Sequence, residues 1–201
     1  MNILISIGWV HPATNGVSTF ITRMQDKYAD MGHRADIVSL KPGDLREGER
    51  YYAHNSVKFW EYLSNLDSEP DVVHANDVFS AKLARERFPD VPIVLTVHNI
   101  LAQETLLDGS LVKGSTIWHN IRRAEIAGIE AADWVVFVSN GQMRTFLEEY
   151  AVELPDDMIS SVVYNGLDKT IYPTKHKDRN SIPVIVSVGR LAGVNYPPLK
   201  R

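Results

Sequence analysis

The sequence predicts an α/β domain built on an open, doubly wound sheet of parallel strands. Two observations carry this prediction. The first is a series of short, continuously apolar and β-branched runs, and the second is their alternation with segments of helical periodicity along most of the 201 residues. Runs of this kind are typical of strands covered by helices on both faces. Strands that alternate with helices are joined in parallel by right-handed crossovers, so the sheet should contain about six or seven parallel strands.

The first third of the chain supplies two strands and one well-marked helix. Residues 2–7 form the first apolar run, and residues 35–40 form the second. Between them, residues 18–31 place apolar side chains at helical spacing, and Gly32 follows where a helix end favours positive φ. A short helix is predicted over residues 57–66.

From residue 71 onward the alternation is regular. Further strands are predicted over residues 71–75, 92–97, 134–138 and 160–164. The helices that connect them are predicted over residues 78–88, 117–132 and 142–150. Residues 98–114, which hold two glycines, are predicted to be a long loop.

A change of pattern near residue 175 predicts a domain boundary. Residues 175–181 are charged and non-periodic, as in a linker, and a new apolar run leads into Gly189-Arg190. We therefore predict one domain over residues 1–174, and a linker with the first strand of a truncated second domain over residues 175–201. Residues 183–190 should not pair into the centre of the first sheet, and self-association through this strand stays open.

The bulk composition excludes several classes of function. A formal charge of −4 and a pI near 6.0 argue against nucleic-acid binding, which needs a basic surface. The chain has no cysteine, which excludes disulfides and thiol catalysis and suits a reducing, cytoplasmic location. No run approaches the ~20 apolar residues of a membrane-spanning helix. Peripheral membrane contact stays open.

Polar side chains follow four of the predicted strands and predict a ligand cleft. In open α/β sheets, ligands bind beyond the carboxyl ends of the strands. Asn15-Gly16 offers a tight turn with backbone N–H groups suited to an anion at a helix N-terminus. The other candidates for binding a polyhydroxylated ligand are His74, Asn76, Asp77, His98, Asn99 and Ser139.

Each of these residues also has a purely structural interpretation. An Asn-Gly pair is most often only a turn, and Asn76, Asp77 or Ser139 could simply cap the helix that follows. His98 could be a satisfied polar residue that closes a strand. The chain lacks G-x-G-x-x-G and a P-loop, which argues against a dinucleotide oxidoreductase and a P-loop nucleotide site. Nor does it have a zinc-type histidine pair or the G-x-S-x-G motif of an acyl-transfer serine. It also lacks an Asp-x-Asp pair that could hold a divalent ion on a sugar diphosphate.

Several short segments along nearly the whole chain form a familiar series. They are residues 15–18, 31–33, 71–77, 96–99, 130–139, 163–168, 172–173 and 188–191. In their order and spacing, these segments resemble the Rossmann-like N-terminal domain of GT-B-fold glycosyltransferases of family 4, the glycogen-synthase-like group.

The resemblance implies a hexosyltransferase-type enzyme of carbohydrate biosynthesis with two Rossmann-like domains. Such enzymes move a sugar from a nucleotide-sugar donor to a sugar, lipid or small-molecule acceptor, with retention at the anomeric carbon and without a metal or other cofactor. It implies that Gly16 lies near the donor diphosphate or the acceptor. It implies further that His98 lies beside the transferred sugar and that Arg190 neutralises the leaving diphosphate. Asn76 and Asp77 would lie on the acceptor side.

The sequence departs from the family pattern near its end. Asn195 stands where the family expects a lysine, the late pair of glutamates is missing, and residues 192–201 do not resemble the family. We therefore expect this chain alone to have little or no transferase activity. Two alternatives stay open: a non-catalytic module that binds a glycan or a partner, and another GT-B enzyme such as a nucleotide-sugar epimerase.

Overall fold

The computed structural model describes residues 1–10, 16–41, 43–44, 54–107, 109–150 and 159–166. The described residues form one six-stranded parallel sheet in the order β2-β1-β3-β4-β5-β6. The strands are β1 (Asn2–Val10), β2 (Arg34–Leu40), β3 (Val72–Ala75), β4 (Ile93–Val97), β5 (Trp134–Phe137) and β6 (Ile159–Val162). The helices are α1 (Gly16–Asp30), α2 (His54–Ser64), α3 (Val78–Arg87), α4 (Leu101–Leu107), α5 (Thr116–Glu130) and α6 (Asn140–Tyr150). The predicted fold class is confirmed.

Helices cover both faces of the sheet, which explains why its strands read as continuous apolar runs. On β1, Ile3, Ile5 and Ile7 pack with Ile21 of α1 in a small core. The alternate residue Leu4 joins a larger core on the opposite face, to which α2, α3 and α5 contribute. Because β1 lies between β2 and β3, the chain reverses direction across the sheet at this strand, and the carboxyl edge there is the place where open α/β sheets bind ligands.

Two aspartates fasten the β1–β3 pair at its two ends. At one end, the backbone N–H of Asn2 donates to Asp71 Oδ2 over 2.6 Å. At the other, the backbone N–H of Gly8 donates to Asp77 Oδ2, also over 2.6 Å. A slip of one residue would break both bonds and turn every side chain of β1 to the wrong face. The two carboxylates therefore fix the register of the central strands.

Helices α3 and α5 cross at Gly128 with almost no space between them. A Cβ atom added at Gly128 would lie 2.3 Å from the carbonyl oxygen of Val78 and 2.6 Å from its Cα. Only glycine allows such a close approach of two backbones. Val78 is the first residue of α3, so this crossing fixes where the start of α3 lies.

The structure differs from the sequence prediction at three places. Helix α4 lies within residues 98–114, which were predicted to be a loop. Strand β1 continues to Val10 instead of ending at residue 7, and α2 covers His54–Ser64 instead of residues 57–66. The first backbone N–H of α4 has a carboxylate that is distant in sequence as its acceptor: the N–H of Leu101 donates to Glu125 Oε1 over 2.5 Å. A seven-residue helix that depends on such a tertiary contact carries little periodic signal.

Two predictions concern residues that the structure does not describe. The boundary at residues 174–175 and the strand over residues 183–190 lie outside the described ranges. Among the residues that are described, no helix has both the length and the apolar character needed to span a membrane.

Candidate functional site

The carboxyl ends of β3, β4 and β5 and the start of α1 bring most of the predicted site residues to one edge of the sheet. Gly16 is the exposed first residue of α1. Of the other described candidates, His74 lies within β3 and the rest follow the strands directly: Asn76 and Asp77 after β3, His98 and Asn99 after β4, and Ser139 after β5. Asn15 and Arg190 lie outside the described residues.

Asp77 is the N-cap of α3, as its structural interpretation predicted. Its Oδ1 accepts hydrogen bonds from the backbone N–H groups of Phe79 at 3.0 Å and Ser80 at 2.9 Å. Its Oδ2 accepts the bond from Gly8 that fastens β1. Burial raises the pKa of Asp77, and these backbone N–H groups oppose that rise. Both carboxylate oxygens are thus engaged in holding β1 and α3 together.

Asn76 determines which nitrogen of His98 carries the proton. The Asn76 side chain is buried, and its Nδ2 donates to the backbone carbonyl of His74 over 3.1 Å. A carbonyl oxygen can only accept, so the amide must turn its Oδ1 toward His98 Nε2, at 3.2 Å. Because Oδ1 also only accepts, His98 must carry its proton on Nε2. The contact with Asn76 therefore leaves Nδ1 as a hydrogen-bond acceptor.

His98 is held as a neutral, half-buried imidazole. Burial lowers the pKa of His98 from 6.5 to about 4, so the ring is uncharged near neutral pH. The side chain of Phe20, one helical turn after Gly16, contacts the ring in a T-shaped arrangement with centroids 4.8 Å apart. Among the described residues, none bonds Nδ1. This nitrogen can accept a hydrogen bond from a ligand hydroxyl at the edge of the cleft.

His74 lies in the interior, beneath this edge. Its Nδ1 lies 2.9 Å from the hydroxyl of Tyr28 on α1, and its Nε2 lies 2.8 Å from Thr96 Oγ1 on β4. Burial, with a smaller contribution from the neighbouring His98, lowers the pKa of His74 to about 4. Both ring nitrogens are thus satisfied by the protein, and the ring links α1, β3 and β4 under His98.

Asn99 and Ser139 also have partners within the domain. The Asn99 side chain is exposed, and its Nδ2 donates to Glu104 Oε2 over 2.6 Å. Ser139 Oγ accepts from the backbone N–H of Gln142 over 3.1 Å, and Gln142 Oε1 in turn accepts from the N–H of Val138. This reciprocal pair caps the start of α6. Asn99 is the more accessible of the two to a ligand.

Phe20 and Glu125 were not singled out from the sequence. Phe20 was assigned only to the apolar side of its helix, yet it forms one wall around His98. Glu125 lies on the apolar stripe of α5 with Trp118, Ile121 and Ile129, and is itself buried. A glutamate at an apolar position of a helical pattern is a signal that the sequence did offer.

Comparison with known families shows which group of proteins this chain belongs to. The model of Glycosyltransferase Family 4 matches residues 14–170. The chain belongs to this family. The match includes every site residue described above, from Gly16 to Ser139. No functionally curated protein matches the chain.

Solved structures share the fold of this family-4 chain. Sucrose-phosphate synthase (tll1590) from Thermosynechococcus elongatus aligns with a TM-score of 0.62 and 16% identity, covering 85% of this chain and 49% of its own. Anabaena Alr3699/HepE, solved with UDP and glucose, aligns with a TM-score of 0.52 and 16% identity, covering 86% of this chain and 46% of its own. The family-4 chain thus spans about half the length of these structures.

Proposed function

We propose that this chain forms the N-terminal, acceptor-side domain of a glycosyltransferase. The enzyme would transfer a sugar from a nucleotide-sugar donor to a glycan, lipid or small-molecule acceptor, with retention at the anomeric carbon. The single observation that carries this proposal is the family match over residues 14–170, which includes the His98 edge. The complex of HepE with UDP and glucose supports a nucleotide-sugar donor for a fold of this kind.

His98 is proposed to contact the transferred sugar. A neutral imidazole with its proton held on Nε2 by Asn76 presents Nδ1 as an acceptor, and this suits a sugar hydroxyl. The ring is fixed in advance by Asn76 on one side and Phe20 on the other. It would therefore need little reorganisation as the reaction proceeds, which is how preorganised polar groups stabilise a transition state.

The donor diphosphate is proposed to lie near the start of α1 and a second domain. Gly16 carries no side chain, and among the described residues outside its own helix no atom would lie within 4 Å of a Cβ placed there. Arg190, outside the described residues, would neutralise the leaving diphosphate through charge-assisted bonds. We propose that transfer uses no metal, since the cationic side chain would perform this role.

A transfer assay tests the proposed activity. A panel of nucleotide sugars is offered to the 201-residue chain and to the same domain joined to a family-4 donor-binding domain. Transfer is expected only from the two-domain protein, because donor positioning can be worth ~7–11 kcal/mol of the barrier. Absence of transfer from every donor by the two-domain protein, with retained binding of a glycan, would favour a non-catalytic binding module instead.

A pair of histidine substitutions tests the role of His98. In the two-domain protein, His98→Ala is expected to lower kcat ~10²-fold or more, the scale of losing one preorganised contact. His119→Ala, on the exposed surface of α5, is the matched control and should leave kcat unchanged. If His98→Ala lowers the melting temperature while kcat per folded molecule stays intact, His98 only closes its strand.

A further inference from the structure

We propose that Glu125 is a positioning residue for the His98 end of the cleft, acting through the start of α4. Glu125 lies on α5 and touches no residue of the polar edge directly. The consequence of this positioning role for sugar transfer rests on the function proposed above. The effect of Glu125 on the conformation of the edge does not depend on that function, and it can be measured on this chain alone.

Glu125 joins three helices through its two carboxylate oxygens. Oε1 accepts from the backbone N–H of Leu101 at 2.5 Å, and the N–H of Ala102 also faces the carboxylate. Oε2 accepts from the hydroxyl of Tyr150 on α6. The side chain is only 2% exposed, so water cannot replace these partners. The first backbone N–H groups of a helix need an acceptor, and here a buried carboxylate from another helix supplies it.

The contact reaches the cleft because α4 begins directly after the polar edge. Only Asn99 and Ile100 separate His98 from Leu101. The side chain of Asn99 is itself tied to α4 by its bond to Glu104. A change in the Leu101–Glu125 bond would therefore move the short segment that carries His98 and Asn99.

The carboxylate can change its charge near neutral pH. Burial raises the pKa of Glu125 from 4.5 to about 7, opposed by the hydroxyl of Tyr150, the N–H groups of Leu101 and Ala102, and the charge of Arg122. Arg122 is in turn paired with Glu149 of α6 at 3.3 Å. Glu104 is the one carboxylate of α4. A protonated Glu125 accepts the Leu101 N–H bond more weakly than the carboxylate does.

The primary test is the pH dependence of backbone amide signals in the 201-residue chain, followed by ¹H–¹⁵N NMR. In the wild type, the amides of Leu101, Asn99 and His98 are expected to shift with one common midpoint near pH 7. Glu125→Gln keeps the shape of the side chain and should abolish that transition. Glu130→Gln, on the exposed end of the same helix, is the control and should preserve it.

A second variant keeps the test decisive if Glu125→Gln does not fold. Tyr150→Phe removes a bond that lowers the pKa of Glu125, so the common midpoint should move to higher pH. Movement of the Leu101 amide alone, with His98 and Asn99 unaffected, would overturn the proposal. So would a transition at His98 and Asn99 that survives Glu125→Gln.

Transfer assays separate this proposal from the proposed function. In an active two-domain enzyme, Glu125→Gln should remove a limb of the pH–rate profile with its midpoint near pH 7, while Glu130→Gln retains it. If the amides respond as expected but no donor and acceptor support transfer, the positioning role stands and the proposed function fails. If transfer occurs and the limb survives Glu125→Gln, the positioning role fails and the proposed function stands.

Discussion

Substituting Gly128 by alanine should destabilise the domain, although alanine is the better helix former. The new Cβ would lie 2.3 Å from the carbonyl oxygen of Val78, whereas ordinary contact begins at 3.4 Å. The opposing atom belongs to a backbone, so α3 or α5 must move by about 1 Å. Overpacking of this kind costs roughly 1–3 kcal/mol, and a forced backbone shift belongs at the upper end.

The net effect follows after the helix propensity of alanine is subtracted. Replacing glycine in a helix gains about 1 kcal/mol, which leaves a loss of about 2 kcal/mol in the free energy of unfolding. For a chain of this size, that loss corresponds to a melting temperature lower by about 4–8 °C. Urea unfolding should show a lower midpoint with an unchanged slope. Gly141→Ala is the matched control, because among the described residues its Cβ would meet only Ser139 Oγ, at 3.8 Å. It should leave stability equal or slightly higher.

The reasoning would be refuted if Gly128→Ala were as stable as the wild type. A second variant checks that the methyl groups of Val78 do not cause the clash. Val78→Ala removes those methyl groups and leaves in place the carbonyl oxygen, the Cβ and the Cα, which the new atom would meet at 2.3, 2.4 and 2.6 Å, so it should not rescue Gly128→Ala. Full rescue would mean that side-chain crowding, and not the close approach of two backbones, limits the crossing.

Three further predictions follow from the polar contacts. Asp77→Ala should cost about 2–4 kcal/mol of stability in urea unfolding, because three backbone N–H groups lose their acceptor; a loss below 1 kcal/mol would contradict this. Ser139→Ala should cost about 1 kcal/mol by the same measurement, and no loss would show that the cap is dispensable. The folded-state pKa of His74 and of His98 lies at about 4 against 6.5, so their stabilisation is present above pH 6.5 and is lost as the pH falls toward 4, about 3 kcal/mol each. Glu125 acts in the opposite sense: its pKa is raised from 4.5 to about 7, so its contribution is present below pH 4.5 and is lost between pH 4.5 and 7, where it offsets about one of the two histidines. The raised pKa of Asp77 acts in the same sense as that of Glu125. Unfolding measured from pH 4 to 6.5 should therefore show stability rising less steeply than the two histidines alone would give, and a falling profile would contradict these assignments.

The sheet could be predicted from the sequence because its signal is local. Each strand is an apolar run that helices cover on both faces, and residues 71–75 or 134–138 show this without any knowledge of their neighbours. Helix α4 could not be predicted in the same way. Its seven residues are too few for a periodic pattern, and the acceptor for its first N–H is Glu125, far along the chain.

The candidate site was predictable in its location but not in its internal contacts. The polar residues after β3 and β4 do lie at one edge, as the carboxyl ends of parallel strands require. Whether a polar side chain faces the cleft or the interior depends on partners from elsewhere in the fold. His74 meets Tyr28 and Thr96, and Asp77 meets Gly8, and none of these pairs is adjacent in sequence.

The two aspartates that fasten β1 to β3 have a consequence for folding kinetics. Each bond joins residues 69 positions apart, so the loop that it closes is long and its entropy cost falls late in folding. The β3–α3–β4 unit closes a much shorter loop and can form first, with β1 docking afterwards. Contacts made after the transition state change the unfolding rate and leave the folding rate nearly untouched. Asp71 should accordingly govern how long the domain stays folded and hardly affect how fast it reaches that state, whereas Asp77, which also caps α3 inside the early unit, should affect both rates.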